Sequence, residues 1–212
     1  MTIKEDDRKQ FQATVNDFQK QHEVDSCFPT VVKNVLDELA DRENDSAFRH
    51  SISDIGDALE YNEGHASRSD RLSNRLDPLI KGANWETCYM SGVDYSQLKK
   101  IIELDKYSLP ICELHEQYFE DIGQYTDQYV VEHGIDGSGR WKHTVIPFKF
   151  NDTKVLYFDP YISFFEDPRN LDDAGGLEVP IRVFREWWNR PTKRWAMWFE
   201  PKEQSTIQDF TQ

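Results

Sequence analysis

Residues 141–161, WKHTVIPFKFNDTKVLYFDPY, read as two strands joined by a polar turn. The run KHTVIPFKF sets His143, Val145, Pro147 and Lys149 on one face and Thr144, Ile146, Phe148 and Phe150 on the other, following the two-residue period of a strand. Asn151 and Asp152 supply the turn, and KVLYF returns as the antiparallel partner. In such a pair the start of one strand lies beside the end of the next. His143, which opens the hairpin, and Asp159, which closes it, are therefore expected to meet at one sheet edge. Asp-Pro at 159–160 also reads simply as the end of a strand, and only the spacing to His143 argues for more.

An imidazole beside a carboxylate is half of a nucleophilic site, and a candidate for the other half stands upstream in QHEVDSCFPT, residues 21–30. Asp25 and Ser26, either of which can cap a helix, precede a run in which Val31, Val35, Leu36 and Leu39 share one helical face. Pro29 falls in the first turn, where its missing N–H costs nothing. Cys27 thus opens a buried helix. A helix N-terminus and an imidazolium neighbour together lower a thiol pKa from about 8.5 to roughly 3.5–7.5. The expected roles follow: Cys27 as nucleophile, His143 as general base and acid, and Asp159 as the group that fixes the imidazole ring. Gln21, just before the helix, can aim its amide with the Cys27 backbone N–H at a developing oxyanion, and Gln19 is a competing donor two residues earlier.

At these residues the chain resembles the papain-like cysteine peptidases, and most closely the bacteriocin-processing, double-glycine-leader peptidase-like group. QHEVDSC, KHTVIPF and YFDPY look like that group's Gln–Cys, His and Asp-Pro blocks, and GVDYSQLKKIIELDKYSLPICEL resembles its helix-then-strand before the His. VPIRVFREWW and WAMWFEP are similar to its closing helix and strand, so the resemblance covers most of the chain and is poorest from about 44 to 90. It implies Gln21, Cys27, His143 and Asp159 as the catalytic set. The group usually carries Gly after the Cys; here Phe28 follows, and is expected to narrow the cleft or alter specificity.

Around these blocks, the order is helices first and an antiparallel sheet afterwards, an α+β class with the nucleophile helix packed on a C-terminal sheet. Helical spacing recurs in ISDIGDAL and DRLSNRLDPLI, separated by the polar stretch YNEGHASRSD, so 44–90 reads as a helical excursion. Asp94 or Ser96 can start a helix through QLKKIIEL, and YSLPICELH, GQYTDQYVV and KRWAMWFE read as strands. In the last, Trp195, Met197 and Phe199 alternate against Ala196 and Trp198. IRVFREWWNR reads as an amphipathic helix; Trp187, Trp188, Trp195 and Trp198 read mostly as core, with one of the four a candidate shield for the His143–Asp159 contact. One domain is expected over 9–204, with 1–8 and 205–212 as flexible tails.

Bulk composition limits the partners. With 39 acidic against 25 basic residues the net charge is -14, which gives nucleic acid and anionic membranes no electrostatic attraction. Neither a membrane span nor a secretory signal is visible, and Cys27, Cys88 and Cys112 are too few for a disulfide framework, so a reducing cytoplasmic setting is expected. Cys112 and His115 have a C-x-x-H spacing without a second ligand pair, and GIDGSGR at 134–140 lacks the Lys-Ser/Thr of a phosphate loop. No cofactor or metal is expected. The sequence supports a thiol hydrolase acting on a peptide or isopeptide bond, with an acyltransferase or transglutaminase-like enzyme on the same site, or a papain-like binding module without turnover, as alternatives. Substrate and oligomeric state are left open.

Overall fold

The computed structural model describes residues 3–22, 26–62, 70–115, 118, 142–161, 176–189 and 194–202. Six helices and six strands are described in chain order. They are α1 (Glu5–Asn16), α2 (Cys27–Glu43), α3 (Ile52–Ala58), α4 (Leu72–Leu76), β1 (Trp85–Met90), α5 (Tyr95–Glu103), β2 (Ile111–His115), β3 (Lys142–Phe150), β4 (Lys154–Phe158), β5 (Gly176–Pro180), α6 (Ile181–Trp188) and β6 (Ala196–Pro201). The strands form one sheet in the order β1-β6-β2-β3-β4-β5, with every described pairing antiparallel. The fold is α+β, as the segregated order of elements predicts.

Two cores flank the sheet. The first joins α1 to α4 to the sheet face that carries Ile111, Ile146, Leu156, Phe158, Met197 and Phe199. The second joins α5 and α6 to the face with Cys112, Leu114, Val145, Val155, Tyr157 and Ala196. The alternation read in KRWAMWFE holds, since Trp195, Met197 and Phe199 enter the first core and Ala196 the second. Helix α2 is the spine of the first core. Val31, Val32, Val35, Leu36 and Leu39 are fully buried, each contributing about 1.5–3 kcal/mol of apolar burial. That anchoring fixes where the N-terminus of α2 points.

Local chemistry accounts for the shorter helices. Ser51 with Asp54, and Asp94 with Gln97, form reciprocal capping boxes at the starts of α3 and α5. Asp94 rather than Ser96 is therefore the start signal of α5. Asn44 ends α2 in the left-handed conformation, a role its short polar side chain tolerates.

Several expectations change. Within 44–90 the helices give way at Trp85 to β1, which forms the sheet edge against β6, so the segment is not helical throughout. The N-terminal stretch expected to fray already belongs to α1 from Glu5, and Ile3 is buried. Phe11 of α1 packs on Phe148 with ring centroids 5.1 Å apart, which holds α1 against the hairpin. The 3.4 Å Lys149–Asp7 ion pair adds at most about 1 kcal/mol at this partly exposed position.

The hairpin itself is bulged. Pro147 pairs with Tyr157, but Lys149 pairs with Leu156, so Phe148 is an extra residue in β3. The bulge moves Phe150 off the Ile146 face and into the second core with Val145, against the simple alternation. The GQYTDQYVV strand at 123–131, the GIDGSGR loop, the 205–212 tail, Asp25 and residues 63–69 of the polar stretch lie outside the described residues. Among the described residues no helix is long and apolar enough to cross a membrane.

Candidate active site

Three elements converge at one end of the sheet. Register in the hairpin sets Ile146 opposite Phe158, which carries His143, three residues back along β3, to the Asp159–Pro160–Tyr161 corner beyond β4. His143 Nε2 lies 2.6 Å from Asp159 Oδ1, and both side chains are buried. The hairpin reasoning thus brings the pair together. Nε2 is engaged by Asp159, and the Cys27 thiol is a further hydrogen-bond partner of the imidazole.

Cys27 is the first residue of α2 and half-buried. Ser26 at the N-cap position makes no side-chain bond to the first turn, contrary to its expected capping role. Its carbonyl instead receives the Thr30 hydroxyl at 2.8 Å and the Thr30 N–H at 3.1 Å, which pins the first turn from within. The positive end of the helix therefore faces the sulfur.

The electrostatics of the thiol are a contest. Burial pushes the Cys27 thiol up, but the hydrogen bond and positive charge of His143, joined by the side chain and backbone of Thr144, more than offset it and hold the thiol below its ordinary value. For His143, burial alone would lower the imidazole. The Asp159 charge and hydrogen bond, with the contribution of Cys27, override that and raise it to about 10. Both shifts act in the same sense, favouring the thiolate and imidazolium over the neutral pair.

Asp159 is a fully buried carboxylate, and such a group needs donors. Oδ1 accepts from His143 and from the Tyr161 backbone N–H at 2.8 Å, and Oδ2 accepts from the Tyr118 hydroxyl. Tyr118 also stacks on the imidazole at 5.4 Å and 17°, while Tyr161 meets the ring edge-on at 5.9 Å. The shield expected of a tryptophan is thus made by tyrosines, and Trp187 packs edge-on against Tyr118 at 4.9 Å. Tyr118, three residues past β2, carries no local signal that marks it in the sequence.

Gln21 is 2 % exposed, and its backbone N–H donates to the Pro160 carbonyl at 2.9 Å, so it is held at the Asp159 corner. Gln19 is exposed, with its backbone clamped by the Asn34 side chain of α2 at 2.8 and 2.9 Å. Burial and position favour Gln21 as the candidate oxyanion donor. Phe28, expected to shape the cleft, instead points into the first core and meets Trp195 edge-on at 5.9 Å. Its place after Cys27 on a helix turns it about 100° away from the thiol.

The other thiols differ. Cys112 is buried in strand β2, and burial pushes its thiol well up. Cys88 sits on edge strand β1, where Glu86, Cys88 and Glu200 bring their ligand atoms within 4.8 Å of one another, an arrangement able in principle to hold a cation. Glu200 already accepts from Trp198 Nε1 at 2.9 Å, and burial with the Glu200 charge drives the Cys88 thiol up, away from the thiolate a metal would want. A cavity of about 430 Å³ lined by Asp17, Asp37, Asp41 and Arg42 among others lies along the later turns of α2, roughly 15 Å of helix from Cys27.

No protein-family model matches the chain, and no curated protein sequence matches it. Seven solved chains do resemble it, including the following two. One is described as a C39-like peptidase from Bacillus anthracis, with a TM-score of 0.53 and 11% identity over 88% of this chain and 94% of that one. The other is the peptidase domain of Streptococcus ComA, a bi-functional ABC transporter involved in a quorum-sensing pathway, with a TM-score of 0.48 and 14% identity over 86% of this chain and 96% of that one. The fold is that of the C39-like, papain-like peptidases.

Proposed function

We propose that this protein is a papain-like thiol hydrolase that cleaves a peptide or isopeptide bond through a thioacyl intermediate on Cys27. The observation that carries the reading is the unbroken chain from the Cys27 sulfur through the His143 ring to the buried Asp159 carboxylate. The Cys27 thiolate attacks the carbonyl carbon, and the oxyanion that forms is met by the Cys27 backbone N–H and the Gln21 amide. The intermediate collapses as the C–N bond breaks, and His143 gives its proton to the departing amine. His143, now neutral, takes a proton from water. The resulting hydroxide attacks the thioester, the C–S bond breaks, and the carboxylic product leaves with thiolate and imidazolium restored.

Substrate in this reading is a peptide or protein, and the setting is the reducing cytoplasm, where the free thiols stay reduced. The test has two arms. Peptide-resolved iodoacetamide labelling of the folded protein at pH 7 is expected to modify Cys27 well ahead of Cys88 and Cys112; equal rates remove the activated thiolate and the reading with it. Incubation with a complex peptide mixture is expected to yield new termini that are lost in Cys27→Ala. Products that carry an added amine in place of water would reassign the protein as an acyltransferase, and no products with full cellular function of Cys27→Ala would mark a binding module.

A further inference from the structure

We propose that Tyr118 is a positioning residue for the His143–Asp159 pair, holding the second carboxylate oxygen so that the imidazole can release its proton; this rests on the thiol-hydrolase reading of the site. Three contacts converge on it. Its hydroxyl donates to Asp159 Oδ2, its ring lies nearly parallel to the imidazole at 5.4 Å, and its hydroxyl accepts from the Tyr157 hydroxyl at 3.3 Å. The side chain is fully buried, and Trp187 braces the ring edge-on at 4.9 Å.

The argument turns on what Asp159 faces during the reaction. In the resting site the carboxylate neutralises an imidazolium. Once His143 hands its proton to the leaving amine, a fully buried anion is left beside a neutral ring. The Tyr161 N–H supports Oδ1 at that stage, and Tyr118 is the donor on Oδ2. A donor on Oδ2 draws charge from the carboxylate, makes Asp159 a weaker base and so loosens its hold on the His143 proton. Burial and the Asp159 charge keep the Tyr118 hydroxyl protonated far above neutral pH, so the donor is always present. Among the described residues, the titratable groups around the imidazole are Cys27 from α2, Asp159 and Tyr161 from the corner beyond β4, Tyr118, and Tyr157 of β4 behind it.

The experiment is the titration of His143 in the full chain by NMR of ring-labelled histidine, in wild type, Tyr118→Phe and Tyr157→Phe, together with the pH profile of Cys27 alkylation. Tyr118→Phe is expected to raise the alkaline titration of His143 by about half a pH unit to one unit, roughly threefold to tenfold in acid strength, and Tyr157→Phe to raise it less. Where cleavage can be followed, kcat falls and KM holds. Replacing Tyr118 by a fluorotyrosine, a stronger donor of nearly the same shape, is expected to move the titration down, and this variant decides the matter if Tyr118→Phe fails to fold. A folded Tyr118→Phe protein, or the fluorotyrosine form, whose His143 titrates as in wild type overturns the proposal. A wild-type Cys27 that is not a thiolate at pH 7 overturns the hydrolase reading instead, and leaves the His143 titration to judge Tyr118.

Discussion

Cys27 and Cys88 are both half-buried thiols set among ionisable side chains, and they are driven in opposite directions. Burial penalises the thiolate at each. At the start of α2 an imidazolium and the hydrogen bonds of Thr144 answer that penalty, whereas on edge strand β1 the carboxylates of Glu200 and Glu86 add to it. The sign of the neighbouring charge, more than exposure, decides which way each thiol is shifted. On the proposed reading, one of the three cysteines is the reactive sulfur and the other two serve as packing.

Removing the positive partner should erase the contrast. In His143→Ala, burial at Cys27 is opposed only by Thr144 and the helix end, its thiol rises above the ordinary value, and iodoacetamide labelling of Cys27 at pH 7 is expected to fall at least about tenfold, toward the rate of Cys88. A rate that stays high would assign the activation to Thr144 and the helix end. Narrowing the contrast from the other side is a smaller effect. Glu200→Gln keeps an acceptor for Trp198 Nε1 while removing a charge beside Cys88, so Cys88 labelling at pH 8.5 is expected to rise by about threefold with Cys27 unchanged.

The smallest effect is on stability. His143 in the folded chain is raised from 6.5 to about 10, so it contributes stability below its unfolded value that is lost as pH climbs through about 10. Cys27 is lowered, so its contribution is present above the unfolded thiol value and lost as pH falls through the folded one. Above the folded Cys27 value and the unfolded His143 value, and below the unfolded thiol value, the folded ion pair and the unfolded neutral pair bind the same number of protons, and stability from this pair is flat. Between pH 9 and 10 the unfolded thiol has lost its proton while His143 keeps its own, and about 1 kcal/mol is expected to disappear. Urea unfolding of wild type against His143→Gln at the two pH values isolates it. Equal losses in both proteins would show that the site carries no such pair.

The parts of this arrangement that are legible in sequence are those written locally. A hairpin with a polar turn fixes which residues of its two strands meet, and so His143 can be paired with Asp159 from the order of residues alone. The apolar helical run that follows Cys27 tells where the thiol stands. What is not legible depends on partners distant in sequence. Strand β1 has a short, half-polar run, WETCYM, whose strand identity comes from pairing with β6 more than a hundred residues later. Tyr118 reaches Asp159 across 41 residues with no periodic signal on either side. Phe28 misleads because its neighbour in sequence is the nucleophile, while its neighbour in space is Trp195.

The bulge at Phe148 sets a limit on how this chain can change length. A strand offers only two faces, and an insertion of one residue exchanges them. Here the exchange lies between His143, which must stay with the Asp159 corner, and Phe150, which must reach the second core. Deleting one residue from 144–149 would return β3 to a regular ladder and force a choice between the two, whereas the Asn151–Thr153 turn lies beyond both and can absorb a change. Relatives that differ in length through this region should therefore differ at the turn, and a redesign that straightens the strand should lose either its packing or its histidine.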